Sequence, residues 1–402
     1  MIGSATSTKC KNNVIELLSV KEDCVGCGNC IEVCPTKALI SSCDEIGFLL
    51  PSLDATKCVS CGKCVNMCPA INRKKTISDF KPICAFVGHN KSHDVRKNSS
   101  SGGFFNALSR SILDKNGLVC GVIYADNFER VKHTLSDNPK EIAIMQGSKY
   151  VQSCKTHIFE QIKTALKEKI VLFTGTPCEI AALKLFLQTD HQNLITCDFV
   201  CHGVTSPQHF FEYIKNLKLK YKSEIEFLTM RSKHFGWTKD YLLNCKFKSK
   251  KNIFKYLSNT PIGFAFNNLR RKSCYDCPFR IGNRVSDITM GDHWKAFNPL
   301  ENNQKGISKI TINTSKGYDF FKDIKDFHFE SYNQNNDFES KNNVSSEQLL
   351  RRDTLGKKVA EIGFLRYYEK SLTIKLRLAH LLPANIKYLY LSAKRIIKSW
   401  SK

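Results

Sequence analysis

Three patterns in the 402-residue sequence predict an α+β module, then an α/β domain, then a basic helical tail. One cysteine motif occurs twice near the N-terminus, at residues 24–35 and 58–69. Beyond Pro82, strand-like apolar segments alternate with amphipathic helical ones, which is typical of an α/β domain with a largely parallel sheet. After residue 350, apolar residues at helical spacing lie among many lysines and arginines.

The repeated motif reads C-x2-C-x2-C-x3-C-P, which is the ferredoxin spacing for [4Fe–4S] clusters. The fourth cysteine of each copy ligates the other cluster in such pairs. We therefore assign Cys24, Cys27, Cys30 and Cys68 to one cluster, and Cys58, Cys61, Cys64 and Cys34 to the second. Gly26, Gly28 and Gly62 permit the tight loops. A zinc site or a disulfide framework is the alternative, but zinc sites use pairs of C-x2-C and lack this rhythm.

Changes of composition along the chain predict six segments. The two cysteine motifs repeat at an offset of 34 residues, which predicts two similar halves with short strands, and the polar stretch before Pro82 ends this module. The segments are a leader (1–18), a two-cluster ferredoxin-like domain (19–75), the two parts of the α/β domain (82–155 and 156–321), an Asn-rich linker (322–347) and the basic helical tail (348–402).

The chain is strongly basic, with 61 Lys and Arg against 37 Asp and Glu and a net charge of +24. No nucleic-acid motif accompanies this excess, so we expect no nucleic acid. The charge would also steer an acidic partner such as another ferredoxin, or a polyanionic coenzyme, and a solvated basic surface is the alternative. The absence of a signal-like N-terminus and of an apolar run of about 18 residues predicts a cytoplasmic protein. The tail from residue 351 holds 13 basic and 3 acidic residues; it suits an anionic membrane on the cytoplasmic face or a partner subunit, and packing on its own domain is the alternative.

A second group of cysteines follows two predicted strands and one short loop. Cys178 and Cys201 each come directly after a strand, and Cys274 and Cys277 form C-Y-D-C. Such positions converge at the carboxyl edge of a parallel sheet. Four thiolates there bind either zinc or a third [4Fe–4S] cluster, and the two upstream clusters favour iron because zinc has no redox chemistry.

Six blocks between Pro82 and Trp294 carry a family resemblance: SSSGGFFNAL, QGSKYVQS, FTGTPCEIAAL, DFVCHGVTSP, KSCYDCPFR and SDITMGDHW. Together they resemble the beta subunit of coenzyme F420-reducing hydrogenase and formate dehydrogenase, here with an N-terminal two-cluster module. Members of that family hold FAD beside a [4Fe–4S] cluster. The resemblance therefore implies a flavin- and cluster-binding catalytic domain, with FAD and a third cluster on Cys178, Cys201, Cys274 and Cys277.

Three loops are candidates for flavin contacts within this pattern. The first loop opens a helix and consists of Ser99, Ser100, Ser101, Gly102 and Gly103. It offers hydroxyls, N–H groups and the helix dipole to a pyrophosphate. A helix N-cap preceded by a turn is the alternative, because it has the same kind of sequence. The second offers a cation for phosphate and an aromatic ring for stacking: Gly147, Ser148, Lys149 and Tyr150. The third would bridge the flavin and the third cluster: Thr174, Gly175 and Thr176.

Further polar residues flank the last cysteines. We expect Arg280, Arg284, Asp287 and Asp292 to shape the substrate side, and His202 to be structural or to relay a proton. No catalytic residue is assigned, and the lack of G-x-G-x-x-G after a strand argues against a Rossmann NAD site.

The expected function is that of an iron–sulfur flavoprotein oxidoreductase. It would pass electrons between a small-molecule substrate at FAD and ferredoxin-type clusters. Coenzyme F420 is the candidate substrate, and the clusters would exchange electrons with an external electron carrier or a partner subunit. One alternative is a reductase of the same architecture for another metabolite or a cell-surface polysaccharide precursor. Another is a non-catalytic electron-transfer subunit of a larger complex. The direction of electron flow stays open because cluster potentials span over a volt.

Overall fold

A computed structural model describes residues 12–76, 82–238, 240–280, 285–296, 305–333 and 345–372. Its first part is a small module of short helices around one antiparallel hairpin. The elements are α1 (Val14–Leu17), α2 (Val20–Asp23), α3 (Asn29–Glu32), β1 (Leu39–Cys43), β2 (Leu49–Leu53), α4 (Lys63–Asn66) and α5 (Arg73–Thr76). Helices α3 and α4 begin after Gly28 and Gly62, whose φ angles of 79° and 71° explain why glycine stands at both positions.

The end of the predicted leader belongs to this module. Val14 is buried and packs with Ala38, Leu39 and Ala70, while the Asn13 side chain accepts a hydrogen bond from the N–H of Ile15 at 2.9 Å and caps α1. The predicted boundary at residue 18 is therefore wrong for residues 12–18, because a short capped helix was not recognised there. Residues 1–11 lie outside the described part.

The second part contains two sheets. The strands are β3 (Cys84–Asn90), β4 (Leu118–Ala125), β5 (Arg130–Ser136), β6 (Val171–Gly175), β7 (Leu194–Phe199), β8 (Ile225–Ser232), β9 (Leu242–Phe247), β10 (Asn252–Tyr256), β11 (Ile288–Asp292), β12 (Ser308–Ile312) and β13 (Phe327–Ser331). The large sheet has the order β13-β3-β12-β11-β7-β6-β4-β5, and the small one the order β10-β9-β8.

The large sheet is mixed. Strands β11, β7, β6 and β4 pair in parallel, whereas β5, β12, β3 and β13 join by antiparallel pairing. The expectation of a largely parallel sheet is thus wrong for its two flanks. Strands β4 and β5, and likewise β11 and β12, follow each other in the chain and pair antiparallel, so the chain reverses there without a crossover helix between parallel strands.

Helices cover both faces of the large sheet. In chain order, the helices described after β3 are α6 (His93–Asn98), α7 (Phe104–Leu113), α8 (Pro139–Met145), α9 (Ile158–Ala165), α10 (Pro177–Leu187), α11 (Pro207–Tyr221), α12 (Pro261–Asn268), α13 (Ser315–Phe321), α14 (Ser346–Ile362) and α15 (Phe364–Ser371). Helices α12, α14 and α15 pack with the dicluster module instead of the large sheet. One core joins α9 and α10 to the sheet, and the other joins α7, α8 and α13 to it. No helix in the described ranges is both long and apolar enough to span a membrane.

The segment predicted as a linker, 322–347, contains a strand. Strand β13 pairs antiparallel with β3, and its Phe327 and Phe329 contact Phe104 with ring centroids 5.6 and 6.5 Å apart. The loop prediction is wrong here because alternating phenylalanines carry the signal inside an Asn-rich composition. Of the predicted tail, α14 and α15 are described, whereas residues 373–402 and the predicted membrane contact lie outside the described part.

Strands β3, β11, β7, β6 and β4 run in one direction, so their carboxyl ends share one edge of the sheet. The 99–103 loop follows β3 and α6, Cys178 follows β6, and Cys201 follows β7. Asp292 ends β11 at the same edge. The fold therefore places the predicted flavin loop and the second group of cysteines at one side of the domain.

Candidate functional site

The first group of thiols combines both cysteine motifs and is buried. Cys24, Cys27 and Cys30 come from the first copy, and Cys68 comes from the second. Burial raises the pKa of Cys27, and the neighbouring Cys24 and Cys68 thiols raise it further. The structure thus places Cys68 beside the first motif, as the crosswise assignment requires.

Backbone N–H groups point at the sulfurs of this group. The N–H of Gly26 donates to Cys24 Sγ at 3.3 Å, and the N–H of Asn29 acts in the same way on Cys27. Gly26 has a φ of 62°, a conformation that an L side chain adopts only with strain. Hydrogen bonds to cluster sulfurs are one of the means by which proteins set a cluster's potential.

The second group lies at the surface. Cys34, Cys58, Cys61 and Cys64 all line one opening of about 330 Å³, a volume that includes space open to solvent. Cys61 is exposed and Cys58 is half-buried. Burial acts to raise the pKa of Cys34, but hydrogen bonds from the N–H of Leu39 and from the Thr36 side chain hold this pKa below its usual value.

The third group collects four thiols from three separate stretches. Cys178 lies in the first turn of α10, Cys201 follows β7, and Cys274 and Cys277 flank the end of a short 3₁₀ helix, Lys272–Cys274. Burial raises the pKa of Cys201, and Cys274, Cys178 and Cys277 raise it further. The structure therefore brings together all four predicted residues.

Local contacts fit this third group for sulfur ligation. Thr176 Oγ1 lies 3.1 Å from Cys178 Sγ, and the N–H of Gly203 donates to Cys201 Sγ at 3.4 Å. Gly203 has a φ of 108°, and a Cβ there would lie 3.0 Å from the Cβ of Cys274. A glycine is thus needed for the two cysteine loops to approach each other.

Within the described residues, no three Cys, His, Asp or Glu side chains are close enough to share a single metal ion. A cubane spreads its four thiolates over four irons. Its ligands consequently stand farther apart than those of zinc, which bind one ion at about 2.3 Å. Each group consists of thiols that accept hydrogen bonds from backbone N–H groups. These donors have the chemistry that a [4Fe–4S] cluster needs.

The first two flavin candidate loops lie against each other. The hydroxyls of Ser100 and Ser148 are 2.9 Å apart, and Ser99 Oγ donates to Gln146 Oε1 at 3.1 Å. Ser101 Oγ donates to the carbonyl of Ile307 at 2.7 Å. These hydroxyls therefore hold the loops together and are already engaged within the chain.

Two members of these loops have a structural explanation that the sequence did not suggest. A Cβ on Gly102 would lie 2.4 Å from the carbonyl oxygen of Gly88, so close packing on β3 already requires a glycine. Lys149 Nζ donates to four carbonyls at the end of α8, those of Ile144, Met145, Gln146 and Gly147, and burial lowers its pKa to about 7. Its predicted role at a phosphate differs from this capping role.

An arginine that the sequence analysis missed organises the same region. Arg231 binds both carboxylate oxygens of Asp292 at 3.0 and 3.1 Å and donates to the carbonyl of Ser100 at 2.8 Å. It also donates to the Tyr150 hydroxyl at 3.1 Å and lies 4.1 Å from the ring centroid of Tyr241. Strand β8 also holds Glu226 and Thr229, so no local pattern in the sequence singles out Arg231.

Two more basic residues adjoin the 99–103 loop. Lys233 Nζ donates to the carbonyls of Arg96, Ser101 and Lys305, and burial lowers its pKa to about 6. Arg96 Nε donates to the carbonyl of Gly306 at 2.8 Å, and its buried Nη2 has no partner in the described part. A buried guanidinium N–H without an acceptor fits a site that takes an anion.

The remaining predicted residues divide between structure and site. Thr174 Oγ1 donates to the carbonyl of Cys120, and Gly175 packs against Phe173 and Glu179. Asp287 accepts from the hydroxyls of Thr196 and Thr314 and ties strands together. Arg280 donates to the Cys274 carbonyl at 2.7 Å, and the His202 carbonyl accepts from Arg270 at 2.6 Å. Arg284 lies outside the described residues.

A buried ion pair stands next to the third group. Lys155 Nζ lies 2.8 Å from Glu179 Oε1. Although burial opposes ionisation, Lys155 and His133 hold the pKa of Glu179 well below its usual value. This pair joins the first turn of α10 to residue 155 and stabilises the loop that carries Cys178.

Comparison with known proteins identifies the family of this chain. The profile for the C-terminal region of the coenzyme F420 hydrogenase/dehydrogenase beta subunit matches residues 168–335, the profile for its N-terminal region matches 85–157, and that of a 4Fe-4S dicluster domain matches 23–72. One similar solved chain, at 14% identity and a TM-score of 0.46, comes from the F420-reducing [NiFe] hydrogenase complex of Methanosarcina barkeri, studied by xenon derivatization; the match covers 69% of this chain and 92% of that one. No curated protein matches significantly. The chain belongs to the coenzyme F420 hydrogenase/dehydrogenase beta subunit family and carries a 4Fe-4S dicluster domain before the family's two regions.

Proposed function

We propose that this chain is an iron–sulfur flavoprotein oxidoreductase that holds three [4Fe–4S] clusters and one FAD. One observation supports this above the others: four thiols from three separate stretches meet at the sheet edge beside the buried group of the dicluster domain. Bound clusters would supply one-electron transfer, and a bound flavin would exchange electron pairs for single electrons.

The chain's own residues would act on these groups in three ways. Cys24, Cys27, Cys30 and Cys68 would hold the first cluster, Cys34, Cys58, Cys61 and Cys64 the second, and Cys178, Cys201, Cys274 and Cys277 the third. Burial of the first group, and of Cys178 and Cys274 in the third, would limit access of water to them. The open second group would give an external carrier or partner subunit access to the protein's redox centres.

The flavin would lie at the 99–103 and 147–150 loops. Arg96 offers a buried donor without a partner in the described part, and Arg231 adds positive charge close to Ser100. These groups suit a pyrophosphate. Thr176 would stand between this site and the third group because its hydroxyl contacts Cys178 Sγ.

Anoxic purification with counts of metal and flavin tests this proposal. We expect about twelve irons and one FAD per chain. Cys178→Ala should lose about a third of the iron and keep the ferredoxin clusters. The matched control is Cys197→Ala, which removes a fully buried thiol from the neighbouring strand β7 and should keep all the iron. Zinc in place of iron, or full iron in Cys178→Ala, would refute the third cluster.

The proposed substrate is coenzyme F420, on the basis of the family. Bleaching of the deazaflavin absorbance on reduction, with the isolated flavin-loaded chain, measures this directly. Flavin reduction by another donor without bleaching would point to a different metabolite or a polysaccharide precursor. An intact flavin without any turnover would point to an electron-transfer subunit that needs its complex.

A further inference from the structure

Arg271 is a buried cation between the first and third cysteine groups. Its side chain is only 6% exposed, and its Nε donates to Ser273 Oγ at 3.1 Å. The Ser273 hydroxyl in turn donates to the carbonyl of Cys24 at 2.9 Å. A chain of hydrogen bonds therefore fixes the guanidinium against the dicluster domain.

The charge of Arg271 faces thiols from both groups. The N–H of Cys274 donates to the carbonyl of Arg271 at 2.9 Å, so Arg271 adjoins the third group directly, and Cys274, Cys178 and Cys24 all act electrostatically on its guanidinium. A Cβ on Gly26 would lie 2.7 Å from Arg271 Nη1, so the guanidinium reaches the loop that carries the first group. One cation thus adjoins two separate sets of cluster ligands.

No carboxylate in the described part forms an ion pair with Arg271. The nearest acidic group that acts on it, Glu179, already pairs with Lys155 at 2.8 Å. An ionised guanidinium in a protein interior requires compensating negative charge. Thiolates that ligate clusters would supply that charge on both sides.

We propose that Arg271 sets the reduction potentials of the first and third clusters together and leaves that of the second unchanged. This inference rests on the proposed function. A cluster gains one negative charge on reduction, so a nearby fixed cation stabilises the reduced form and raises the potential. The second group adjoins an opening to solvent that Arg271 does not line, and water screens charges there.

Redox titration of the full-length chain, followed by electron paramagnetic resonance, tests the proposal in Arg271→Gln. We expect the signals of the first and third clusters to fall in potential, with at least a tenfold change in the ratio of oxidised to reduced cluster, which is 59 mV for one electron. Arg271→Lys should keep both potentials closer to those of the unaltered chain. The control, Arg110→Gln, removes an exposed guanidinium from α7 and should shift none.

Three unchanged potentials, or an equal shift of all three, would overturn the proposal. If Arg271→Gln loses iron, four irons should remain as the second cluster, and Arg271→Lys should retain the iron of the first and third clusters. Loss of the second cluster in Arg271→Gln, or the same loss of iron in Arg271→Lys, would also overturn the proposal. Iron in the unaltered chain is counted first. A shortage there refutes the proposed function and this inference with it, whereas full iron with unmoved potentials refutes this inference alone.

Discussion

Gly26 lies where the dicluster domain meets the large sheet domain, and its replacement by alanine isolates the contribution of that contact. A Cβ at this position would lie 2.3 Å from Gln152 Nε2, far inside contact distance. Gln152 is buried and makes three hydrogen bonds across the boundary: its Nε2 donates to the carbonyls of Gly26 and Leu49 at 3.2 and 2.9 Å, and its Oε1 accepts from the N–H of Leu49 at 3.0 Å.

Gly28 is the matched control. It lies in the same loop with a similar φ of 79°, but nothing stands within 4 Å of the position of its missing Cβ. Both alanines pay the strain of a left-handed conformation, about 1–2 kcal/mol. Only Gly26→Ala must also displace the Gln152 amide, whose three hydrogen bonds contribute about 0.5–1.5 kcal/mol each. We therefore expect Gly26→Ala to lose about 2–4 kcal/mol more than Gly28→Ala.

Stability is measured as the urea concentration at which half of the cluster absorbance is lost under anoxic conditions. These midpoints are compared between variants whose free energy of unfolding has the same slope against urea concentration. A third variant, Gly26→Ala combined with Gln152→Ala, removes the nearer of the two groups that the new methyl would meet; Arg271 Nη1, at 2.7 Å, remains. Its destabilisation should be smaller than the sum of the two single changes, since the side chains share one contact. Equal losses in Gly26→Ala and Gly28→Ala, or strict additivity in the double variant, would refute the reasoning.

Two further predictions concern buried charge. Lys155→Met should lower the free energy of unfolding by about 3–5 kcal/mol in thermal or urea unfolding, because Glu179 keeps a buried carboxylate without its cation. The double variant Lys155→Met with Glu179→Leu should recover part of this stability. A double variant less stable than Lys155→Met alone would contradict the prediction. Burial lowers the pKa of His209 to about 3, so the unfolded chain binds a proton that the folded chain does not as pH falls below about 6.5. Stability should therefore fall by about 2 kcal/mol between pH 7 and 5, and His209→Phe, which keeps the stacking on Phe364, should reduce this loss while a change of the exposed His93 should not.

The parts of this protein that could be predicted from sequence depend on short-range patterns. The cysteine spacing of the dicluster domain is local, and the glycines that start α3 and α4 stand inside the same motifs. The positions of Cys178 and Cys201 could be inferred because each follows a buried strand, and parallel strands end at one edge. These inferences needed no knowledge of which distant residues meet.

The missed features depend on pairing between distant residues. Arg231 and Asp292 are 61 residues apart in sequence, and only the fold places Asp292 at the end of β11 beside β8. Lys149 is a different case, because its Nζ donates to carbonyls only two to five residues earlier, at the end of α8, and its place at a flavin phosphate stays a prediction. Strand β13 was missed because an Asn-rich composition outweighed two alternating phenylalanines.

The contacts across the boundary between the two parts argue for a fixed dicluster domain and against a domain that swings to deliver electrons. Asn29 is fully buried, and its amide donates to the carbonyl of Met67 within the module at 2.8 Å and to that of Ala182 in α10 at 3.1 Å. Gln152 and Ser273 reach the loop of the first group from the other side. Separating the two parts would exchange these hydrogen bonds for bonds to water, at a net cost of about 0.5–1.5 kcal/mol each. It would also expose the apolar cluster that Val25 and Cys27 share with α10. Under the proposed function, the order from the second group beside the surface opening, through the buried first group, to the third group at the sheet edge would be kept in the folded chain, and an external partner would dock at the Cys61 face.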